Sequence, residues 1–204
     1  MDETSIINNM RHNESVVLDL QKKLYDKKFI KLSLYKKYKL KKIGVNELID
    51  RTIKWFLQKQ KVQHNYQVVK LNLTEWLIEG KYKEYAESWG VDEKYQDSLL
   101  NILIECLCDF RSTAFILNIQ ELPQMKYKIF IKSSTEHLDK YIIVNIILHE
   151  LRHTLQEDSF QDEELKILEK YNLVSELKDF GWSREYEAYK YAFDNTLKCL
   201  KEII

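Results

Sequence analysis

Two histidines and a glutamate lie close together in the segment His149-Glu150-Leu151-Arg152-His153, and their spacing suits metal chemistry. Residues four apart on a helix lie about one turn apart on the same face, so His149 and His153 can both reach one ion. Neutral imidazole nitrogens hold Zn²⁺ firmly, and the carboxylate of Glu150 can take a proton from a water that the ion acidifies. This segment therefore predicts a metal centre with its own general base.

The residues before this segment favour a bound metal over a purely structural role for the histidines. They are almost wholly apolar, which predicts a helix buried on most sides: Ile142, Ile143, Val144, Ile146, Ile147 and Leu148. Polar side chains at the end of such a helix cost several kcal/mol to remove from water unless they find partners, and a metal ion supplies one. The alternative is a partly exposed helix end with two hydrogen-bonded histidines.

A hydrolytic zinc site needs a third protein ligand and one open coordination position, and no histidine follows His153. Among the downstream carboxylates, Glu185 and Glu187 stand in a predicted helix with Ala188 and Ala192. On a helix the two alanines lie within about 60° of Glu185, whereas Glu187 points roughly 160° away. Because small residues allow two helices to approach closely, the alanines should face the helix that carries His149 and His153, which we call the metal helix. We therefore expect Glu185 at the site and Glu187 nearer the opposite face.

Together these motifs resemble the compact zincin metallopeptidases of the gluzincin type, in which a Glu on a later helix is the third zinc ligand. The resemblance covers roughly residues 127–200 and rests on H-E-x-x-H and on E-x-E-A-x-x-Y-A at 185–192. It implies that His149, His153 and Glu185 bind Zn²⁺ and that Glu150 is the general base. It also implies hydrolysis of a protein or peptide substrate. Many small proteins of this type occur in bacteria and their phages or plasmids.

Two positions depart from the pattern of that family. Arg152 is charged where many zinc peptidases have an uncharged residue, and Tyr189 stands where an Asp or Asn often orients a ligand. Ligating histidines normally donate their second N–H to a carboxylate or carbonyl, so the orientation of the site stays open. A side chain that stabilises the charge of the tetrahedral intermediate should also lie nearby. The candidates are Tyr186, Tyr189, Tyr191 and His137, and our prediction for the stabiliser is Tyr189.

The same resemblance gives a role to the segment before the metal helix. Tyr127–Lys132 alternates like a strand, with Tyr127, Ile129 and Ile131 on one face. In zincins an edge strand at this place pairs with the extended substrate, and alternate side-chain pockets give specificity. We therefore predict that these three residues bind substrate from an edge strand. The alternative is an ordinary strand of the sheet.

The order of elements predicts an α+β fold, with helices first, then a small mixed sheet, then helices that include the metal helix. We predict helices over 5–25, 46–59, 74–89, 92–110, 138–156, 163–171 and 183–202, and strands over 66–73, 113–119 and 127–132. The 204 residues include one Pro and four Gly and show no linker or repeat. We divide the chain into a Lys-rich helical region, 1–62, and a zincin-like domain, 63–204, with one continuous domain as the alternative.

Charge is distributed unevenly along a chain whose formal net charge is +0. Residues 1–80 carry a net +7 and residues 81–204 a net −7, and segment 22–42 holds ten Lys and one acid. One interpretation is a surface that follows phosphates and stacks bases, with binding that weakens as salt rises. The other, which we favour, is a pair of helices whose apolar face packs while the lysines face water. Docking to an acidic protein is a third.

The cysteines and the N-terminal residues bear on the compartment. Cys106, Cys108 and Cys199 are odd in number and lack C-x-x-C spacing, which indicates buried thiols in a reducing compartment. The first residues do not resemble a signal peptide, and the longest apolar run, 141–148, is too short to cross a bilayer. We expect a cytoplasmic protein without a membrane partner.

Three functional classes are compatible with these features. A zinc metallopeptidase is favoured. The alternatives are a catalytically inactive zincin-fold binding protein and a nucleic-acid-binding regulator that uses the Lys-rich segment.

Overall fold

The computed structural model of the chain describes residues 2–26, 31–72, 80–88, 100–101, 104, 114–119, 126–156, 161–173, 177 and 182–204. The helices in these ranges are α1 (Glu3–Tyr25), α2 (Leu34–Lys42), α3 (Val45–Gln60), α4 (Lys81–Ser88), α5 (Lys140–His153), α6 (Gln161–Lys170) and α7 (Ser183–Ile203). The strands are β1 (Asn65–Leu71), β2 (Ala114–Ile119) and β3 (Lys126–Lys132), and a 3-10 helix follows at Ser133–His137. The predicted helix-rich α+β class is confirmed. Most of the predicted helix over 92–110 lies outside the described residues.

The chain forms two compact units, a helical one of residues 1–62 and 139–204 and a sheet unit of residues 63–138. The division predicted between residues 62 and 63 coincides with this boundary, but residues 139–204 group with the N-terminal helices rather than with the sheet. The reason lies in α5, of which ten of the fourteen residues are buried. A helix apolar on most faces needs partners on several sides, and α3 and α7 supply them.

The contact between α5 and α7 positions the residues of interest. Near the middle of the pair, Asn145 Nδ2 donates a buried hydrogen bond of 3.1 Å to Thr196 Oγ1. Ala188 and Ala192 have 0% exposure and lie between Thr196 and Glu185, both of which contact α5. The alanines therefore belong to the surface that faces α5, as the sequence predicts.

The sheet has the strand order β1-β3-β2, with β1 parallel and β2 antiparallel to β3. This is a small mixed sheet, as predicted, but the prediction that β3 is an edge strand is wrong. Tyr127 is in register with Tyr66 on one side and with Asn118 on the other. A strand paired on both sides has no row of backbone donors and acceptors left for an extended substrate.

The side chains predicted to bind substrate are engaged within the protein. Tyr127, Ile129 and Ile131 are exposed by only 7%, 0% and 4%. The Tyr127 ring stacks on His64 and Tyr66, with ring centroids 5.1 and 5.4 Å apart. Their predicted role as the substrate-binding strand therefore loses its geometric basis, and the stack joins β1 to β3 instead.

Helix α2 shows how the Lys-rich segment is folded. Its lysines are exposed or half-buried, as expected, and Leu40 is buried. However, Leu34, Tyr35 and Tyr38 are 86%, 64% and 57% exposed, so most of the apolar side chains of α2 also face water. The predicted packing of an apolar face is therefore only partly right.

Two further sequence expectations can be compared with the structure. Cys199 is a buried free thiol, and burial raises its pKa to about 12, so it stays protonated and unreactive at neutral pH. Cys106 and Cys108 lie outside the described residues. In the described part of the chain, no helix combines the length and apolar character that a membrane span requires.

Candidate metal centre

Three side chains converge where the last turn of α5 meets the first turn of α7. His149 Nε2 and His153 Nε2 are 3.1 Å apart. Glu185 Oε2 lies 3.3 Å from His149 Nε2, and its Oε1 lies 3.3 Å from His153 Nε2. These residues form a group that could hold a metal ion. The predicted juxtaposition of His149, His153 and Glu185 is confirmed, and their role as ligands stays a prediction.

The spacing of the three candidate ligands is compatible with a small tetrahedral ion. Bonds of about 2.0–2.1 Å at tetrahedral angles place neighbouring ligands about 3.3–3.4 Å apart. The two Nε2 atoms are 3.1 Å apart, and each lies 3.3 Å from a different oxygen of the Glu185 carboxylate, so all three separations are close to that value. Two imidazole nitrogens and a carboxylate also form a donor set that suits first-row divalent metals. The residues present therefore fit a metal ion.

The three converging side chains are largely removed from water. His149 and His153 are 8% and 9% exposed, whereas the side chain of Glu185 is 33% exposed. Two imidazole nitrogens and a carboxylate cannot face one another at these distances without a positive charge or a shared proton. A protonated histidine meets that need in the alternative of a purely structural pair, and a metal ion meets it in the predicted site.

The two histidines differ in their electrostatic surroundings. Burial lowers the pKa of His149, but the hydrogen bond and negative charge of Glu185 outweigh it, so the pKa is raised. Burial and the charge of His149 together lower the pKa of His153 to about 4. Burial raises the pKa of Glu185, but its contacts with His149 prevail and the pKa is lowered. His153 is therefore neutral and Glu185 anionic at neutral pH.

Glu150 lies beside the three converging residues. It is 7% exposed, and burial raises its pKa to about 7, with the charges of His149 and Glu185 acting in opposite directions. A carboxylate with a pKa near the working pH both accepts and returns protons readily, which is what a general base needs. The structure therefore gives Glu150 an environment that suits its predicted role.

Tyr189 is the tyrosine of α7 that touches the candidate ligands. Its ring centroid lies 4.2 Å from that of His149. Burial and the charges of Glu185 and Glu150 raise its pKa, so the phenol keeps its proton and can donate a hydrogen bond. Gln21 of α1 also hydrogen-bonds this side chain.

The other stabiliser candidates have different surroundings. The Tyr191 hydroxyl accepts a 3.0 Å hydrogen bond from Gln60 Nε2 and its ring lies 5.3 Å from the Arg152 guanidinium carbon. The Tyr186 ring faces Lys190 Nζ at 5.8 Å. His137 belongs to the sheet unit.

Glu187 does not join the candidate ligands, but the expectation that it lies nearer the opposite face is wrong. It bends towards the end of α5, where its Oε1 accepts a 3.1 Å hydrogen bond from Arg152 Nε. Burial raises the pKa of Glu187, but the bonds from Arg152 and Gln156 outweigh it and the pKa is lowered. Helical periodicity turns position 187 away from α5, but the long side chains of Glu187 and Arg152 reach far enough to meet. Arg152, the charged departure from the family pattern, thus has a partner on α7.

Sequence reasoning missed Gln156. Its Oε1 lies 2.8 Å from His153 Nδ1, while its Nε2 donates to Arg184 O at 2.9 Å and to Glu187 Oε2 at 2.6 Å. The only signal in the sequence is its position three residues after His153. That signal is weak because α5 ends at His153, and the path of the chain beyond a helix end does not follow from periodicity.

The second ring nitrogen of His149 has different surroundings. Among the described residues, His149 Nδ1 is buried without a hydrogen-bond partner. Position 189, where gluzincins often have an Asp or Asn, places a tyrosine ring against the His149 ring instead, with the two ring planes inclined by 49°. The two candidate histidine ligands are therefore supported unequally.

Comparison with known proteins adds no relative. No protein-family model, no curated protein and no solved structure matches this chain. The resemblance to gluzincins consequently rests on two short motifs.

Proposed function

We propose that this chain is a zinc-dependent metallopeptidase that hydrolyses peptide bonds of a protein or peptide substrate. One observation carries the proposal: at the junction of two helices the two Nε2 atoms are 3.1 Å apart, and each lies 3.3 Å from one oxygen of the Glu185 carboxylate. Glu150 stands beside these three side chains in a buried position. Three ligands, an open fourth position and an adjacent carboxylate are the parts that a hydrolytic zinc centre needs.

Zinc is the metal we propose because the donors are two imidazoles and one carboxylate at tetrahedral spacing. Magnesium and calcium prefer sites built from oxygen atoms, so this donor set disfavours them. Cobalt and manganese accept similar donors and serve as test metals.

Each residue has a defined role in the proposed reaction. When bound, zinc would act as a Lewis acid that polarises the scissile carbonyl and makes water easier to deprotonate. Glu150 takes the proton from the attacking water and later delivers it to the leaving amine. Tyr189, whose phenol keeps its proton, donates a hydrogen bond to the negative charge that develops on the carbonyl oxygen.

The experiment has two stages, metal content and cleavage. We expect one zinc ion per purified chain. The zinc-loaded protein should cleave members of a mixture of randomised synthetic peptides, with new termini detected by mass spectrometry. Glu150→Gln should retain zinc and lose about 10²- to 10⁴-fold in rate, the usual contribution of a general base. Glu84→Gln, on an exposed residue of α4, is the matched control and should cleave like the wild type.

The outcomes separate the functional classes. Zinc without cleavage in the wild type would instead indicate a zincin-like binding protein. A chain that binds no zinc would remove the metal centre and with it the peptidase proposal.

The exposed surface of α2 supports a second candidate function, the binding of nucleic acid. Five lysines and no acidic residue occur in its nine positions, and Tyr35 and Tyr38 expose most of their surface. Lysines that neutralise phosphates and rings that stack bases are the usual elements of single-strand binding. This function would involve a surface separate from the candidate metal centre.

A further inference from the structure

The side chain of Gln156 lies where it can decide which nitrogen of His153 faces the candidate metal position. Its amide group contacts three partners: His153 Nδ1, the backbone carbonyl of Arg184 and the carboxylate of Glu187. Two of these partners belong to the first two turns of α7 and one to the last turn of α5. Gln156 therefore joins the two helices that carry the candidate ligands.

The partners fix the orientation of the amide. The carbonyl oxygen of Arg184 and the carboxylate of Glu187 only accept hydrogen bonds, so the NH₂ group must face them, at 2.9 and 2.6 Å. The amide oxygen must then face His153 Nδ1, at 2.8 Å. Because an amide oxygen only accepts, Nδ1 must carry a proton. A neutral imidazole has one such proton, so the lone pair lies on Nε2, which is directed towards His149 and Glu185.

The chain of contacts continues beyond Gln156. Arg152 donates to the same carboxylate of Glu187 that accepts from the Gln156 amide. Arg152 thereby holds in place the Glu187 carboxylate that accepts from Gln156. The turn after α5 is also held by backbone hydrogen bonds from Leu155 N to Arg152 O and from Gln156 N to His153 O, at 3.0 and 3.3 Å.

We propose that Gln156 is a positioning residue of the metal centre, which holds His153 in the Nδ1–H form and ties the end of α5 to the residue before Glu185. The proposal rests on the proposed function in that it assumes a metal bound by His153 Nε2. Position 189 offers no carboxylate or amide that could orient a histidine ligand. The proposal gives that role to the amide of Gln156, three residues after His153. Because His149 Nδ1 has no partner among the described residues, this support acts on one ligand only.

The test uses the full-length chain and three variants. Gln156→Leu removes the amide at similar size. The exchange Gln156→Glu together with Glu187→Gln keeps the order of donors and acceptors, because the carboxylate accepts from His153 while the amide at position 187 donates to it. Gln60→Leu is the control, since Gln60 also hydrogen-bonds a side chain of α7, Tyr191, without touching His153.

Two readouts are measured, of which the first needs no metal. In the zinc-free protein labelled with ¹⁵N-histidine, the ring nitrogen shifts report which nitrogen of His153 is protonated, with the signal assigned by its loss in His153→Ala. We expect Nδ1–H in the wild type and in Gln60→Leu, and a shift towards Nε2–H in Gln156→Leu. The second readout is the zinc dissociation constant from competition with a chelator.

We expect Gln156→Leu to weaken zinc binding by about 10- to 100-fold, as losses of outer-shell partners do, and Gln60→Leu to leave it unchanged. The double exchange should recover most of the loss, although it gives up the bond to Arg184. The proposal is overturned by an Nε2–H form of His153 in the wild type, by unchanged zinc affinity in Gln156→Leu, or by an exchange as weak as Gln156→Leu.

The design also covers two complications. If Gln156→Leu does not fold, the wild-type ring shifts and the double exchange still decide the matter. A wild type that binds no zinc contradicts the proposed function, and the zinc-free ring shifts then still report whether Gln156 sets the form of His153.

Discussion

Two parts of the helical unit are rich in polar side chains and use them in opposite ways. Where α5 meets α7, two histidines and a glutamate are buried or half-buried and converge within 3.1–3.3 Å. On α2, five lysines and two tyrosines extend outwards, and only Leu40 is buried. The first arrangement brings polar groups together largely away from water, so electrostatic interactions there are strong, whereas water screens the second. A dense run of charged residues along the chain thus indicates an exposed surface, whereas polar side chains that converge from two helices indicate a candidate functional site.

The two regions are joined at the ends of α5 and α7 that lie away from the candidate ligands. Lys140, the first residue of α5, donates hydrogen bonds of 2.8 Å to the carbonyls of Leu40 and Lys41 at the end of α2. Lys36 of α2 hydrogen-bonds the carbonyl of Lys201 in the last turn of α7. About 24 Å of helix separates Lys201 from Glu185, at 1.5 Å per residue. Substitutions in the two regions should therefore act independently.

The largest contrast concerns the histidines. His149→Ala or His153→Ala should reduce the zinc content from one ion per chain to none, because the two remaining ligands bind zinc too weakly to retain it during dialysis. His12→Ala, on an exposed histidine of α1, is the control and should keep one ion. Zinc is counted by elemental analysis after dialysis. An unchanged zinc content in either ligand variant would contradict the site.

The next contrast is between two glutamates of α7. Glu185→Gln removes the anionic ligand and should weaken zinc binding by more than the roughly 10- to 100-fold expected for an outer-shell loss. Glu187→Gln removes only the partner of Arg152 and Gln156 and should fall within that range. Both dissociation constants are obtained by chelator competition. If Glu187→Gln were the weaker binder, the assignment of the third ligand would be reversed.

A smaller effect concerns packing and compares α7 with α2. Ala192→Leu adds volume at a site of 0% exposure and should destabilise the fold by about 1–3 kcal/mol, because overpacking forces the helices apart. Leu34→Ala, on a residue 86% exposed, should change stability by less than about 0.5 kcal/mol. Chemical denaturation of both variants measures the free energy of unfolding. Equal stabilities would mean that α5 and α7 do not pack through the alanines.

The smallest effect on the metal centre is expected from α2. Replacing Lys37, Lys39 and Lys41 by Ala should leave zinc affinity unchanged, because these lysines are exposed and distant from Glu185. The same variant tests the second candidate function. Binding of a single-stranded oligonucleotide by the wild type should fall with salt, and the slope should decrease by about 0.7 for each phosphate contact removed. A wild type without such binding at low salt would exclude that function.

Where the structure departs from prediction, the cause lies in contacts between distant parts of the chain. The alternation in Tyr127–Lys132 is compatible with an edge or a central strand, and only the pairing with β1 and β2 decides between them. The grouping of residues 139–204 with 1–62 likewise depends on which helices cover α5. Neither property follows from the local periodicity of apolar residues along the chain.

The sequence by itself determined the helix-rich class and the pair His149 and His153, because residues four apart on a helix share a face wherever that helix lies. It also pointed to Glu185, since two alanines on the same side marked the face that packs. Only the tertiary structure decided that Gln156 supports His153 and that Glu187 reaches Arg152. Those contacts depend on how the chain turns after α5 and on the reach of long side chains between two helices, neither of which follows from helical periodicity.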